Sequence, residues 1–420
     1  MKKIATVIIG GGQAGLATSY HLKKNNHEHV VLEQSDQAAS AWSNRSWDSF
    51  SLVTPNSAFR MPGEILSHLN RDGFMSRNEV VDFFESYINK YDLPVEYESR
   101  VWHVERSGHD SFIVRTDELP WEATNVVIAT GFFQQPKVPS FAGKLSDEIK
   151  QLHSSEYRNP RSLPEGKILV VGSGQSGAQI AEELCASGRR VFLSVGRAGR
   201  APRRYRGKDI IEWLDLVGMF DLTPEQLPPG MGKFDGIPHL SGANGGHTLN
   251  LHQFARDGIK LLGHVRDIWI TRLQIAPDLN ESLAIVDQFE NEVVTLIDEY
   301  VEKNNLKVPM EKLPQLKDGF AEAIITELDL MKEGIGTVVW ATGYNFDYST
   351  VNLPVFDKDG FPIQMNGVTS YPGLYFVGMP WMPTERSGFL LGVGESAKRI
   401  ALLIEQRSKT PILKTVSDQP

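Results

Sequence analysis

The sequence predicts an α/β chain in which two parallel-sheet units are nested, and three observations carry that prediction. A glycine-rich turn, GGGQAG from Gly10 to Gly15, stands between a short β-branched run and a helical pattern, and GSGQSG from Gly172 to Gly177 repeats that setting. A buried-looking strand ends twice in the same small-residue turn, NVVIATG from Asn125 to Gly131 and TVVWATG from Thr337 to Gly343. Composition leaves room for such a core: the 420 residues are 41% hydrophobic and 23% charged, which excludes a disordered, collagen-like or disulfide-stapled chain.

The first unit opens with Ile4 to Ile9, short, apolar and β-branched as a strand buried on both faces should be. Glycines end this run too early for an export signal, so none is expected. Gly10 permits a tight turn, Gly12 lets the backbone approach a pyrophosphate at a helix N-terminus, and Gly15 lets helix and strand pack closely. A helix over Leu16 to Lys24 and a strand over Val30 to Leu32 follow, ending in Glu33, whose carboxylate suits ribose hydroxyls. Strand, glycine turn, helix, strand and acid in this order form a dinucleotide-binding, Rossmann-like fingerprint. Gln13, Ala14 and Gln34 belong to its expected contact set, as do Thr130 and Gly131 at the end of the unit's last strand.

The second unit repeats the pattern with one change. Lys167 to Val171 reads as a strand, Gly172, Gly174 and Gly177 keep the spacing with Gln175 and Ser176 between them, a helix runs to Ser187 with Gly188 to cap it, and Val191 to Val195 is the next strand. No acid stands where Glu33 stands in the first unit. Instead Val195 is flanked by Ser194, Gly196 and Arg197, and Arg200, Arg203, Arg204 and Arg206 follow. Hydroxyl and guanidinium groups favour the 2′-phosphate of NADP over the free ribose of NAD, which makes Ser194, Arg197, Arg203 and Arg204 its expected ligands. Thr342 and Gly343 would close this second site.

Proline-rich stretches at Pro136 to Pro139 and at Asn159 to Pro164 read as crossings between units. The expected division is an FAD-type domain over 1–164 and 335–420, with an NADPH-type domain over 165–334 inserted in it. Within the insert, apolar residues recur at helical spacing from Leu283 to Val301, predicting a long amphipathic helix inside 277–332. That helix would cover an active-site mouth, a partner subunit or its own nucleotide domain.

The rest of the composition narrows the function. A net charge of −9 with no basic block argues against nucleic acid and a polybasic anchor. No apolar run reaches the length of a membrane span. The only cysteine, Cys185, excludes an internal disulfide and a CxxC redox pair and suits a cytoplasmic setting. His239, His247 and His252 cluster without ligand spacing, so no metal is expected, and there is no GxSxG elbow. Gly242 to Gly246 reads as a mobile loop near the nicotinamide or substrate.

With two fingerprints and no cysteine pair, the chain resembles the class B flavoprotein monooxygenases, in particular the flavin-containing monooxygenases and the plant YUCCA group. The segment Ala39 to Gly63 is similar to the family stretch that wraps the flavin, with Trp42, Arg45 and Leu52 at matching places and Asn56-Ser57 where the family carries an asparagine beside the isoalloxazine ring. Phe141, Gly143, His153 and Tyr157 resemble the family linker, although the glycine-to-histidine gap is longer here. ATGYNFD, Ala341 to Asp347, resembles the family's ATGY motif. The resemblance covers most of the chain and fails over 277–332. It implies FAD in the first turn, NADPH in the second, and oxygenation of a small organic substrate through a C4a-(hydro)peroxyflavin, with Asn56 as the catalytic side chain. An amine, a sulfide or a carbonyl compound such as a 2-oxo acid would be that substrate, with dioxygen as co-substrate. Two other readings stay open: an NADPH oxidase or flavin reductase that releases peroxide, and a non-catalytic FAD- and NADPH-binding redox sensor. Candidate pocket segments are Ser46-Trp47, Trp213 to Phe220 and Trp381 to Phe389, and a homo-oligomer is left open.

Overall fold

The computed structural model describes residues 1–66, 69–108, 110–227 and 238–409. The first unit is a sheet of β1 (Lys2–Ile9), β2 (His29–Leu32), β3 (Val95–Glu96), β4 (Val101–Ser107), β5 (Ser111–Thr116) and β6 (Trp121–Ile128), in the order β3-β2-β1-β6-β5-β4. Strands β1, β2, β3 and β6 run parallel, whereas β5 pairs antiparallel with β4 and β6. Helix α1 (Gln13–Lys24) lies between β1 and β2, and its apolar Leu16 and Leu22 pack with Val31 and Val127 of the sheet. Parallel register places Ile9 beside both Leu32 and Ile128, so the carboxyl ends of three strands converge where the glycine turn begins.

The chain then crosses through β7 (Gln135–Pro136) into a second sheet of β8 (Lys150–His153), β9 (Lys167–Val171), β10 (Val191–Ser194), β11 (Lys260–Leu262) and β12 (Ile335–Trp340), ordered β11-β10-β9-β12-β8 and wholly parallel. Helices α2 (Gln175–Ala186), α3 (Ile210–Leu216) and α4 (Leu279–Lys303) belong to this unit. The return crossing, β13 (Tyr344–Asn345), pairs antiparallel with β7, so the two crossing strands form one ribbon. Strand β14 (Leu374–Phe376) rejoins the first sheet beside β6, and α5 (Val393–Lys409) packs against α1.

This topology corrects the expected division. Residues 150–153 and 335–340 belong to the inserted sheet, because β12 lies between β9 and β8 with Thr337 opposite Lys150 and Val339 opposite Leu152. The crossing expected at Pro136 to Pro139 coincides with β7, but Asn159 to Pro164 lies inside the second unit, as a 3-10 turn at Pro160–Ser162 capped by the Asn159 side chain.

Helix α4 is as long as its periodicity implies. Leu279, Leu283 and Val286 join the core that holds Ile180 and Ala181 of α2, while Val293, Ile297 and Val301 pack with Trp213 and Phe220. It therefore rests on its own nucleotide unit. Among the described residues, no helix is long and apolar enough to cross a membrane.

Candidate functional site

The two glycine turns are built alike down to single contacts. A β-carbon on Gly10 would lie 2.6 Å from the Ala129 carbonyl oxygen, and one on Gly172 2.5 Å from that of Ala341, so each first glycine is pressed on the ATG turn of its own sheet. Both have a left-handed φ, +111° and +102°, which favours glycine. A β-carbon on Gly15 or Gly177 would meet the carbonyl of Gly10 or Gly172 at 1.9 Å. Gly12 and Gly174, by contrast, face space with no atom within 4 Å. They are the N-caps of α1 and α2, and neither helix has a side-chain cap or an acid in its first turn. Uncapped N–H groups at the positive end of a helix form an anion site, and the open side of Gly12 and Gly174 leaves it accessible. The residues present therefore fit two dinucleotides.

Glu33 is buried at the end of β2, where its carboxylate accepts from Gly11 N at 2.7 Å, Ser35 N at 3.0 Å and the Ser40 hydroxyl at 3.3 Å. A carboxylate has about four acceptor positions, so roughly one remains for a ribose hydroxyl. Gln34 beside it is exposed. In the second unit the Ser173 hydroxyl instead accepts from Gly196 N at 2.8 Å.

Most of the expected phosphate ligands are engaged elsewhere. Ser194 is buried and donates to the Gly263 carbonyl at 2.9 Å, holding β10 to the turn after β11. Arg203 is buried and ion-paired with Asp209, and it donates to the Val53 carbonyl at 2.8 Å. Arg204 donates to the carbonyls of Gly245 and Asp72 at 3.0 and 3.2 Å. Helix α4 takes two more: Arg200 pairs with Asp287 and Glu290, and Arg206 with Asp298. The Asp287 and Glu290 carboxylates and their hydrogen bonds raise the Arg200 pKa against the opposing effect of burial. Arg197 is the exception: its ion pair with Glu281 is 59% and 61% exposed, and such a pair yields readily to a stronger ligand.

The ATG turns are tied across the junction. Arg45 donates to the carbonyls of Phe133 and Gln134, just beyond Thr130 and Gly131, and Thr130 accepts from the Gln134 amide. Thr342 donates to the Lys137 carbonyl, and Gly343 O accepts from Lys137 N at 2.9 Å. His153 Nε2 lies 3.0 Å from that same carbonyl and its ring packs on Tyr344, so the linker histidine stands at the ribbon between the units.

Asn56 begins a 3-10 turn after Pro55. Its Nδ2 donates to the Asn70 carbonyl at 2.9 Å, not to its own turn, and its Oδ1 is buried with no partner. Trp42 is half-buried against Phe50, and Leu52 is buried in the core that includes Ala14 and Ala129. Two of the candidate pocket segments meet: the Phe220 and Phe389 rings lie 6.1 Å apart, and Arg386 pairs with Asp215 and Asp221. Trp47 lies elsewhere, in the core of the second unit. The three histidines do not converge: His247 pairs with Glu182 and His252 with Asp287, while His239 is fully buried with neither ring nitrogen hydrogen-bonded among the described residues.

Gln13 and Gln175, expected from the sequence as dinucleotide contacts, each hold a loop, whereas Glu385 was not legible as a site residue. The Gln13 side chain donates to the Gly388 carbonyl at 2.8 Å, and the Gln175 amide is closed on the backbone of Leu240. Both glutamines hold a distant loop at a glycine turn, a role that their repeated place in GGGQAG and GSGQSG could have suggested. Glu385 stands in the turn that Gln13 holds, and burial raises its carboxyl to about 7. The Gly242 to Gly246 loop is packed against Leu52 and Phe74 rather than free.

Residues 7–214 match the family described as pyridine nucleotide-disulphide oxidoreductase. A CzcO-like oxidoreductase of Geobacillus kaustophilus is 32% identical over 94% of this chain and 96% of its own. A probable indole-3-pyruvate monooxygenase, YUCCA10 of Arabidopsis thaliana, is 29% identical over 49% of this chain and 54% of its own. The flavin-containing monooxygenase of Stenotrophomonas maltophilia superposes with a TM-score of 0.67 at 19% identity, covering 97% of this chain and 100% of the other.

Proposed function

The chain belongs with the CzcO-like oxidoreductases, and from that premise we propose that it is a class B flavoprotein monooxygenase that uses FAD and NADPH and oxygenates a small organic substrate. The observation that carries this reading is the pair of glycine turns whose Gly12 and Gly174 face open space before uncapped helices. The single cysteine leaves no dithiol for disulfide chemistry.

FAD is assigned to the first turn, with Gly10, Gly12, Ala14 and Gly15 around the diphosphate, Glu33 on the ribose, and Trp42, Arg45, Leu52, Thr130 and Gly131 around the rest. NADPH is assigned to the second, with Gly172, Gly174, Ser176 and Gly177 at the diphosphate, Arg197 at the 2′-phosphate, and Thr342 and Gly343 at the edge. Bound together, the two supply hydride transfer and oxygen activation. The protein's part is orientation and exclusion of water. Asn56 offers an amide that donates and accepts without adding charge, and its neighbour Ala58 packs with Phe220 and Leu391 in an apolar cluster drawn from both units. The substrate class we assign is an amine, a sulfide or a carbonyl compound such as a 2-oxo acid.

Incubation of the FAD-loaded protein with NADPH, labelled dioxygen and a panel of these compounds tests the reading by mass spectrometry, with peroxide measured in parallel. One labelled oxygen atom in a product, with peroxide well below the NADPH consumed, is expected. Peroxide equal to NADPH across the panel would mark an oxidase, and no consumption in air a sensor; either overturns the proposal.

A further inference from the structure

Gln175 opens α2 at the second glycine turn, and one residue closes its side-chain amide from both sides: Leu240 N–H donates to Oε1 at 2.9 Å, and Nε2 donates to the Leu240 carbonyl. Leu240 begins a loop whose ends pair, Leu240 with Thr248 and Ser241 with His247. The glycines of that loop press on the first unit. A β-carbon on Gly242 would lie 1.9 Å from the Leu52 carbonyl oxygen, and one on Gly246 2.5 Å from the Phe74 ring.

Arg203 reinforces this contact. Its backbone N–H donates to the Thr248 hydroxyl at 2.8 Å, its guanidinium donates to the Val53 carbonyl at 2.8 Å, and the guanidinium lies 4.8 Å from the Phe74 ring centroid. Leu52 and Val53 lead into Asn56, which is fixed in turn to the 70–73 stretch, by Nδ2 to Asn70 and by its backbone N–H to the Gly73 carbonyl at 2.9 Å. A continuous set of contacts therefore runs from the helix N-terminus at the second turn to the Asn56 segment. At Gly242 and Gly246 it leaves no space for a β-carbon between the loop and the first unit.

We propose that Gln175 is a positioning residue, not a nucleotide ligand: it ties the second glycine turn to the 240–248 loop, so that occupancy of that turn sets the placement of Asn56. The proposal rests on the reading of the second turn as the NADPH site and of Asn56 as the flavin-side amide. An amide suits this place, since it both accepts from Leu240 N–H and donates to Leu240 O.

The test uses FAD-loaded protein titrated with NADP+, reading affinity by calorimetry, the flavin absorption difference spectrum, and the melting temperature. The parent is expected to bind NADP+ with a change at the flavin. Gln175→Met should bind NADP+ within about threefold of the parent and lose most of the flavin change, with Gln175→Glu, which keeps only the acceptor, in between. Gly246→Ala, which breaks the contact at its far end, should reproduce the loss and keeps the test decisive if Gln175→Met folds poorly. A parent-like flavin change in Gln175→Met and Gly246→Ala overturns the proposal, as does loss of NADP+ binding in Gln175→Met with an unchanged melt, which would make Gln175 a ligand. A parent whose flavin does not respond to bound NADP+ also overturns it. If Gly174→Val binds NADP+ as the parent does, the assignment of the second turn fails first, before any Gln175 variant is read.

Discussion

Gly15 stands so close to Gly10 that a β-carbon on it would lie 1.9 Å from the Gly10 carbonyl oxygen, whereas Gly12 between them faces space with no atom within 4 Å. One glycine serves packing and the other leaves room for a ligand. Gly12→Val is therefore expected to fold and to melt as the FAD-stripped parent does but to purify colourless, because the new side chain occupies the approach to the α1 N-terminus. Gly15→Ala forces helix and strand apart and should lower the melting temperature as well as FAD content. Flavin absorbance per protein and a thermal melt on both variants check this. Full FAD in Gly12→Val contradicts the first-site assignment.

The arginines after the second turn separate in the same way. Arg197→Ala removes a charged hydrogen-bond donor held only by an exposed pair, so it should weaken NADPH by roughly 1.5–3 kcal/mol, about tenfold to a hundredfold, and leave NADH nearly unchanged. Arg203→Ala strands Asp209 in the interior and should cost about 3–5 kcal/mol of stability, whichever cofactor is offered. Steady-state kinetics with both cofactors, together with thermal melts, distinguish the two. Equal losses with NADPH and NADH in Arg197→Ala would remove the 2′-phosphate role.

These contrasts mark what the sequence could carry. The glycine turns were legible because a close backbone approach leaves only glycine possible, and Gly10, Gly15, Gly172 and Gly177 all meet a carbonyl. The partners of the arginines were not legible. Glu290 comes from helix α4, 90 residues beyond Arg200 in the chain, and nothing local to GRAGRAPRRYR reveals which guanidinium is neutralised. The extent of the inserted unit was obscured for a related reason: β8 is the four-residue KQLH, too short and polar to stand out, and its neighbour in the sheet, β12, lies far along the chain. Asn56 was read from a resemblance, and its buried, unpartnered Oδ1 is visible only in three dimensions.

Stability should fall on the acid side. Burial lowers His21 and His29 from 6.5 to about 4 and, with Arg200 nearby, His239 to about 3. Because the unfolded chain takes up these protons first, this contribution is full above 6.5 and is lost as pH falls toward 4, by on the order of a few kcal/mol for each histidine. Glu385 has the opposite sign: its folded carboxyl is raised from 4.5 to about 7, so it destabilises progressively as pH rises between those values. Glu385→Gln should then melt higher than the parent at about pH 8, by roughly 1–3 kcal/mol, and equally at about pH 4.5. Melts across pH decide it. An advantage that is the same at both pH values would show that Glu385 does not titrate in this window.

Asn56 is held by one half of its amide only. Its Nδ2 anchors the Asn70 carbonyl at 2.9 Å while its Oδ1 is buried without a partner. A buried acceptor left unsatisfied costs about 1–3 kcal/mol, so a residue kept only to anchor a loop would be better served by a group without the idle oxygen. Asn56→Leu loses the Asn70 bond, worth about 0.5–1.5 kcal/mol, and also removes the orphan acceptor, so its net effect on stability should be small. FAD content and the rate of flavin reduction by NADPH should stay near those of the parent. Coupling is where the loss should appear, with hydrogen peroxide per NADPH rising severalfold as labelled product falls. Stopped-flow reduction, peroxide assay and a thermal melt on one preparation separate the roles: a lowered melt with coupling intact would leave Asn56 as the anchor of the Asn70 loop and nothing more.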